Sequence, residues 1–114
     1  MGAWGTAAWD NDGAADWFGD TFDSTGLAKH IEETLERDPA EDYEEIRAAA
    51  YLLGALGRVY IYPVGDIDNH LMLAISKLEL IRELEIYREA PEFALAINEE
   101  IEVLRSRLNP RWPA

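Results

Sequence analysis

Cysteine is absent from the 114-residue chain, and its absence removes several classes of chemistry. Disulfide frameworks, thiolate nucleophiles and cysteine-ligated zinc or iron–sulfur sites are excluded. Lack of cysteine also fits a reducing compartment, so we expect a cytoplasmic protein. No glycine-rich phosphate loop is present either, since Gly54-Ala55-Leu56-Gly57 lacks both the spacing and the lysine of such a loop. The sequence therefore predicts no cofactor.

Basic residues are scarce. Lysine and arginine number 10 against 23 aspartates and glutamates, which gives a formal net charge of −13. A surface of this sign repels nucleic-acid phosphate and anionic lipid, whereas it attracts a basic partner. Apolar runs long enough to cross a bilayer are absent, and no secretory signal is visible. We therefore expect no nucleic-acid binding and no membrane role.

Hydrophobic residues make up 48% of the chain, which is enough to build one core. Apolar positions recur at helical spacing, and the pattern predicts a single all-α domain over residues 1–114, a bundle of about five helices. The expected N-caps are Asp10 or Asn11, Ser24 or Thr25, Asp38 before Pro39, and Asp68 or Asn69, with Pro91 opening the last helix. These helices should end near residues 22, 37, 57, 89 and 108.

Three segments depart from a plain amphipathic pattern. Residues 1–9 are uncharged and carry two tryptophans, which predicts an ordered N-terminal arm. Residues 59–65 are rich in β-formers but are interrupted by Pro63 and Gly65, so we expect an extended connector. The predicted helix 70–89 is apolar on two faces, which makes it either the central helix of the fold or the interface of a homodimer. Small residues around Gly54 should let another helix approach closely.

The start of the chain resembles a bacterial family, domain of unknown function 4259. The resemblance rests on Met1-Gly2-Ala3-Trp4-Gly5, the aromatic Trp9, Asp10-Asn11-Asp12, and the run from Ala14 to Phe18. Trp9 stands where family members more often have phenylalanine. The segment Glu83-Leu84-Glu85-Ile86-Tyr87 is similar to a later part of the family pattern. The resemblance implies a small soluble bacterial protein, and it implies no activity.

The N-terminal tryptophans and acidic residues admit two interpretations. They could form a small-ligand or metal-binding module beside a helix N-terminus, and such a module could be enzymatic. In the simpler interpretation, Asp or Asn caps the first helix while the tryptophans pack the arm onto the bundle. The residues concerned are Trp4, Trp9, Asp10, Asn11, Asp12, Asp16 and Trp17.

Few residues offer catalytic or metal-binding patterns. Asp66, Asp68 and His70 lie close together before the fourth helix and are weak candidates for a metal site, although an N-cap role for Asp68 explains the same residues. No serine lies in a Gly-x-Ser-x-Gly elbow. We therefore assign no catalytic residue and no metal, and an enzyme is the less favoured class.

Acidic residues are densest between residues 32 and 45. Asp38, Glu41 and Asp42 would favour the start of the third helix, but the acids near the end of the second helix gain nothing from its dipole. A solvated face explains the segment, and so does a patch that docks a basic protein, for example in an immunity protein that neutralises a nuclease-like toxin. The candidate partner-binding residues are Glu32, Glu33, Glu36, Glu41, Asp42, Glu44 and Glu45.

Overall fold

The computed structural model describes residues 5–108 and contains six α-helices in that range. They are α1 (Asp12–Thr25), α2 (Leu27–Leu35), α3 (Tyr43–Leu56), α4 (Ile67–Arg82), α5 (Glu85–Arg88) and α6 (Pro91–Arg107). No β-strand occurs between residues 5 and 108. The all-α prediction is therefore confirmed. None of these helices is both long and apolar enough to span a membrane.

The first helix begins where the sequence predicts. The Asn11 side chain accepts a hydrogen bond from the backbone N–H of Ala14 at 2.8 Å, so Asn11 is the N-cap. The predicted cap of the second helix by Ser24 or Thr25 is wrong. Both residues belong to α1, which ends at Gly26 in the left-handed conformation with φ 64°. Because glycine adopts this conformation without strain, α2 follows directly at a new angle.

The third helix starts later than the Asp38-Pro39 pair predicts. The Asp38 carboxylate accepts a hydrogen bond from the N–H of Ala40 at 2.9 Å and thereby closes a turn. Residues 36–42 form this loop, and the helix begins at Tyr43. The predicted N-terminal cap is therefore wrong because the aspartate side chain stabilises a turn instead of a helix start.

The helix predicted at residues 70–89 starts earlier and ends earlier in the structure than the sequence pattern predicts. It begins at Ile67, so the caps predicted at Asp68 or Asn69 are wrong, and it ends at Arg82. Leu84 is extended, with ψ 141°, and the chain then turns into the short α5. Helix α4 contacts α2, α3, α5 and α6 and is the central helix of the fold. Its inner residues are 0% exposed: Leu71, Ala74, Leu78 and Ile81.

The connector between α3 and α4 lacks a strand, but its backbone is folded into turns instead of being extended. The N–H groups of Ile61 and Tyr62 donate to the carbonyl of Arg58, and the N–H groups of Asp66 and Ile67 donate to that of Pro63. These turns bury Ile61 and Tyr62 in the core. Burial of two β-forming side chains explains why this apolar run is compact.

Helices α3 and α6 lie close together and run parallel. Arg47, in the second turn of α3, contacts Glu100 in the middle of α6, and the Arg107 Nε–H donates to the Gly54 carbonyl toward the C-terminal ends of both helices. A Cβ atom placed on Gly54 would lie 3.3 Å from Val103 Cγ1. The small side of α3 therefore receives another helix, as the sequence predicts.

Candidate functional site

A chain of hydrogen bonds joins three separate elements inside the bundle. The Tyr62 hydroxyl lies 2.7 Å from Nδ1 of His70, and Nε2 of His70 lies 2.9 Å from Oε2 of Glu32. Tyr62 and His70 are each 2% exposed, whereas the Glu32 side chain is 45% exposed. The connector, α4 and α2 are thus linked by one polar network with its carboxylate end at the surface.

The geometry fixes where the protons lie when the imidazole is neutral. An ionised carboxylate can only accept, so His70 Nε2–H donates to Glu32. His70 Nδ1 is then an acceptor and receives the Tyr62 O–H. Every buried side-chain nitrogen and oxygen in residues 5–108 has a hydrogen-bond partner, and this network supplies the partners of the buried Tyr62 and His70.

This hydroxyl–imidazole–carboxylate order is also found in hydrolytic triads, but its environment here is different. Burial raises the pKa of Tyr62 well above its usual value, and the charges of Asp66 and Glu32 raise it further. The hydroxyl therefore stays protonated, and it lies where a substrate has no access. The network is suited to holding the connector in place and unsuited to nucleophilic catalysis.

The weak metal candidates do not form a metal site in the described residues. Both ring nitrogens of His70 are engaged by Tyr62 and Glu32. No group of three potential ligands occurs anywhere in the chain from residue 5 to residue 108. Asp66 and Asp68 precede His70 by four and two residues, yet the imidazole is buried while Asp66 is exposed. The structure does not bring Asp66, Asp68 and His70 together as ligands.

Several residues of the N-terminal segment have local structural roles. Asn11 caps α1, and the Asp10 carboxylate accepts a hydrogen bond from the N–H of Ala7 at 3.2 Å. Trp9 packs against the core, and the guanidinium of Arg58 lies 5.1 Å from its ring centroid. Trp4 lies outside the described residues, as does the first part of the predicted arm.

The remaining members of that segment are on the surface. Asp12 and Asp16 are exposed, and Trp17 is 62% exposed with its ring edge against Phe18. A groove of about 300 Å³ does lie beside α1, but it is formed by Ala15, Gly19 and the connector, without Trp9 or Trp17. The tryptophans described by the structure therefore do not line this groove.

Six of the candidate partner-binding acids cluster where α2 meets α3. We call them the acidic corner: Glu33, Glu36, Glu41, Asp42, Glu44 and Glu45. Glu33 and Glu36 are at the end of α2, Glu41 and Asp42 are in the loop, and Glu44 and Glu45 open α3. The seventh candidate, Glu32, is instead bonded to His70, so folding explains its presence.

The acidic corner has little internal compensation. No ion pair involves any of its six residues within the described chain. Arg37 and Lys77, which lie beside the corner, form no ion pair with it within residues 5–108, and the Lys77 ammonium donates to the backbone carbonyl of Arg37 at 2.7 Å. Five of the six acids are exposed and Asp42 is half-buried. The corner is therefore a solvent-facing, negatively charged surface.

A second surface feature lies between α3 and α6. This α3–α6 groove has a volume of about 380 Å³ and is formed mainly by small and apolar residues, with Ala50, Gly54, Ala55, Ala96 and Val103 among them. Beside it, Arg47 binds Glu100 through two hydrogen bonds of 2.8 and 2.6 Å. The hydrogen bond to Glu100 raises the pKa of Arg47, so Arg47 stays charged and its ion pair with Glu100 links α3 to α6.

Comparison with known proteins assigns the family but no activity. The family model described as a domain of unknown function (DUF4259) matches residues 2–63, more than half of the chain. The chain belongs to the DUF4259 family. The match spans α1 to α3, including the acidic corner, and most of the connector. Searches of curated proteins and of solved structures find no match.

The polar network and the Arg47–Glu100 pair are the features that sequence reasoning missed. A signal for His70 was present, because it lies at helical spacing from Ile67 and Ala74 and therefore on the inner face of α4. Its partners Glu32 and Tyr62 are distant in sequence, and no periodicity indicates them. Arg47 and Glu100 are likewise 53 residues apart.

Proposed function

We propose that this DUF4259 protein is an interaction module whose acidic corner binds a basic protein partner. The observation that carries the proposal is the presence of six carboxylates at one corner, none of them in an ion pair within residues 5–108. Like charges held together repel, so folding alone gains little from this arrangement. A positively charged partner relieves the repulsion.

The position of Glu33 and Glu36 strengthens the proposal. Both lie at the C-terminal end of α2, where the helix dipole is negative. Acidic side chains are unfavourable there, whereas Glu44 and Glu45 in the first turn of α3 are favourable. Two of the six acids therefore oppose local stability, which fits residues retained for binding.

An enzyme that acts on nucleic acid is one concrete form of partner. Such an enzyme presents a basic surface to phosphate, and a compact array of carboxylates complements the same surface. The protein would then act as an immunity-like inhibitor without binding nucleic acid itself. Its lack of cysteine suits action in the cytoplasm.

The experiment is a pull-down from native lysate with the tagged protein at low and high salt. A basic protein captured at low salt and released at high salt is expected. The triple variant Glu33→Lys, Glu41→Lys and Glu45→Lys should lose that protein. The control variant Asp16→Lys, Asp20→Lys and Asp23→Lys makes the same change in net charge on α1 and should retain it.

Two results contradict the proposal. One is capture of no basic protein at low salt. The other is equal capture by the wild type and the corner variant, since binding would then not depend on these carboxylates. Loss of capture only in the α1 variant would favour a site at the N-terminal Trp/Asp segment. Circular dichroism of both variants confirms that the fold is retained.

A further inference from the structure

The α3–α6 groove is an apolar feature on a highly charged protein. Small residues line it, and the aromatic side chain of Tyr51 stands at its edge, 71% exposed. Val103, on the α6 side, is also exposed at 44%. Exposed apolar surface of this kind is a common mark of a binding site.

The groove is continuous with the acidic corner along one face of α3. Glu44, Ala48, Tyr51 and Ala55 follow the helical spacing of four, three and four residues, so they share a face. Glu44 belongs to the acidic corner, and Ala55 lines the groove. A rod-like ligand lying along this face would contact carboxylates at one end and apolar surface at the other.

The charges around the groove indicate the chemistry of its ligand. Glu44 and Glu99 form no ion pair within residues 5–108. Arg47 is paired with Glu100, whereas Arg107, which also lines the groove, donates only to the neutral carbonyl of Gly54 and so keeps its positive charge at the C-terminal end of α6. The unpaired carboxylates of Glu44 and Glu99 outnumber this one arginine, so the net uncompensated charge around the groove is negative. A second copy of a chain with net charge −13 would bring further negative charge to this surface.

We propose that the α3–α6 groove binds an amphipathic helical segment of the basic partner, with its apolar stripe in the groove and its lysines or arginines toward Glu44 and Glu99. This inference rests on the proposed function and specifies the partner. A helix that inserts an apolar stripe into a groove is a recurrent mode of recognition. The acidic corner would attract the partner, and the groove would hold it.

The test measures fluorescence anisotropy with a labelled helical peptide of lysine, leucine and alanine that has one apolar stripe. A second peptide has the same number of lysines, with serine in place of the stripe. The folded wild-type protein should bind the first peptide, and the second at least about tenfold more weakly. Failure to bind the striped peptide, or equal binding of both peptides, overturns the inference.

Variants locate the binding surface. Tyr51→Ser removes an exposed groove side chain and should weaken binding about tenfold, as loss of an aromatic anchor does. Ala55→Arg places bulk and a like charge against the peptide and should weaken it similarly. Met72→Ser, a matched loss of an exposed apolar residue on α4, should leave binding unchanged. Unchanged binding by both groove variants overturns the inference.

The two proposals fail in distinguishable ways. If the corner variant loses the lysate partner while Tyr51→Ser retains both partner and peptide, the acidic corner stands and the groove is rejected. If Tyr51→Ser loses both and the corner variant loses neither, the groove stands and the corner is rejected. Sedimentation at two concentrations completes the test, because a dimer that Tyr51→Ser dissociates would assign the groove to a second copy and overturn the inference.

Discussion

His70 Nε2 lies 2.9 Å from Glu32 Oε2, and this contact joins the central helix α4 to α2 across the core. The other ring nitrogen of His70 receives the hydroxyl of Tyr62 from the connector. A residue that looks like part of an acidic docking surface is thus one end of an internal polar network. Within residues 5–108, the unpaired carboxylates of the acidic corner therefore begin at Glu33.

The network predicts a stability loss on Tyr62→Phe. The substitution leaves Nδ1 of the buried His70 without its hydrogen-bond partner, which costs about 1–3 kcal/mol. Urea unfolding monitored by circular dichroism measures the loss. Tyr51→Phe is the control, because Tyr51 is 71% exposed and its change should stay within about 0.5 kcal/mol. Equal stabilities for the two variants would show that the network is not important for folding.

Stability should fall at alkaline pH through Tyr62. Burial raises the pKa of Tyr62, whereas the same phenol in the unfolded chain ionises near pH 10. Above about pH 10 the unfolded state releases a proton that the folded state keeps, so the contribution of Tyr62 is complete below that pH and is lost above it. Urea midpoints across this range test the expectation. If Tyr62→Phe declines as steeply as the wild type, Tyr62 is not the cause.

The Arg47–Glu100 pair should matter more for folding than its neighbour Glu99. Glu100→Gln breaks a two-bond contact whose side chains are only 23% and 24% exposed, and we expect a loss of about 1–3 kcal/mol. Glu99→Gln removes the same charge one residue earlier, where no ion pair is recorded, and should change stability by less than about 0.5 kcal/mol. Thermal or urea unfolding distinguishes them, and similar losses would contradict the structure.

Acids at the two ends of the corner should affect stability with opposite signs. Glu33→Gln or Glu36→Gln relieves a negative charge at the end of α2 and should stabilise by about 0.3–1 kcal/mol. Glu44→Gln removes a favourable charge from the first turn of α3 and should destabilise by a similar amount. All three should weaken partner binding. Stability losses at Glu33 and Glu36 would mean that these acids serve the fold.

Sequence patterns predict the helices better than their ends. The apolar periodicity of α6 and the Asn11 cap of α1 are local signals, and both are confirmed. Asp38-Pro39 fails because the Asp38 side chain stabilises a turn, an alternative with the same residue preference. The end of α4 fails because helical spacing continues through Leu84 although the chain bends there. Local propensity does not reveal such a tertiary constraint.

The candidate sites show the same division. The acidic corner is contiguous in sequence, so counting charges is sufficient to find it. The link between Glu32 and His70 requires two helices to pack, and it reverses the interpretation of both residues. The small residues around Gly54 indicate the α3 side of the α3–α6 groove. Its α6 side depends on the parallel packing of two helices that are distant in sequence.

The association rate constant of the captured basic partner tests the central claim most directly. Charges at the rim of an interface act chiefly on association and on its salt dependence. Stopped-flow mixing should therefore show association by the wild type that slows as salt increases. The Glu33/Glu41/Glu45 variant should associate about tenfold more slowly at low salt, and the α1 control should match the wild type. Equal rate constants for all three proteins would contradict a function of the acidic corner in binding.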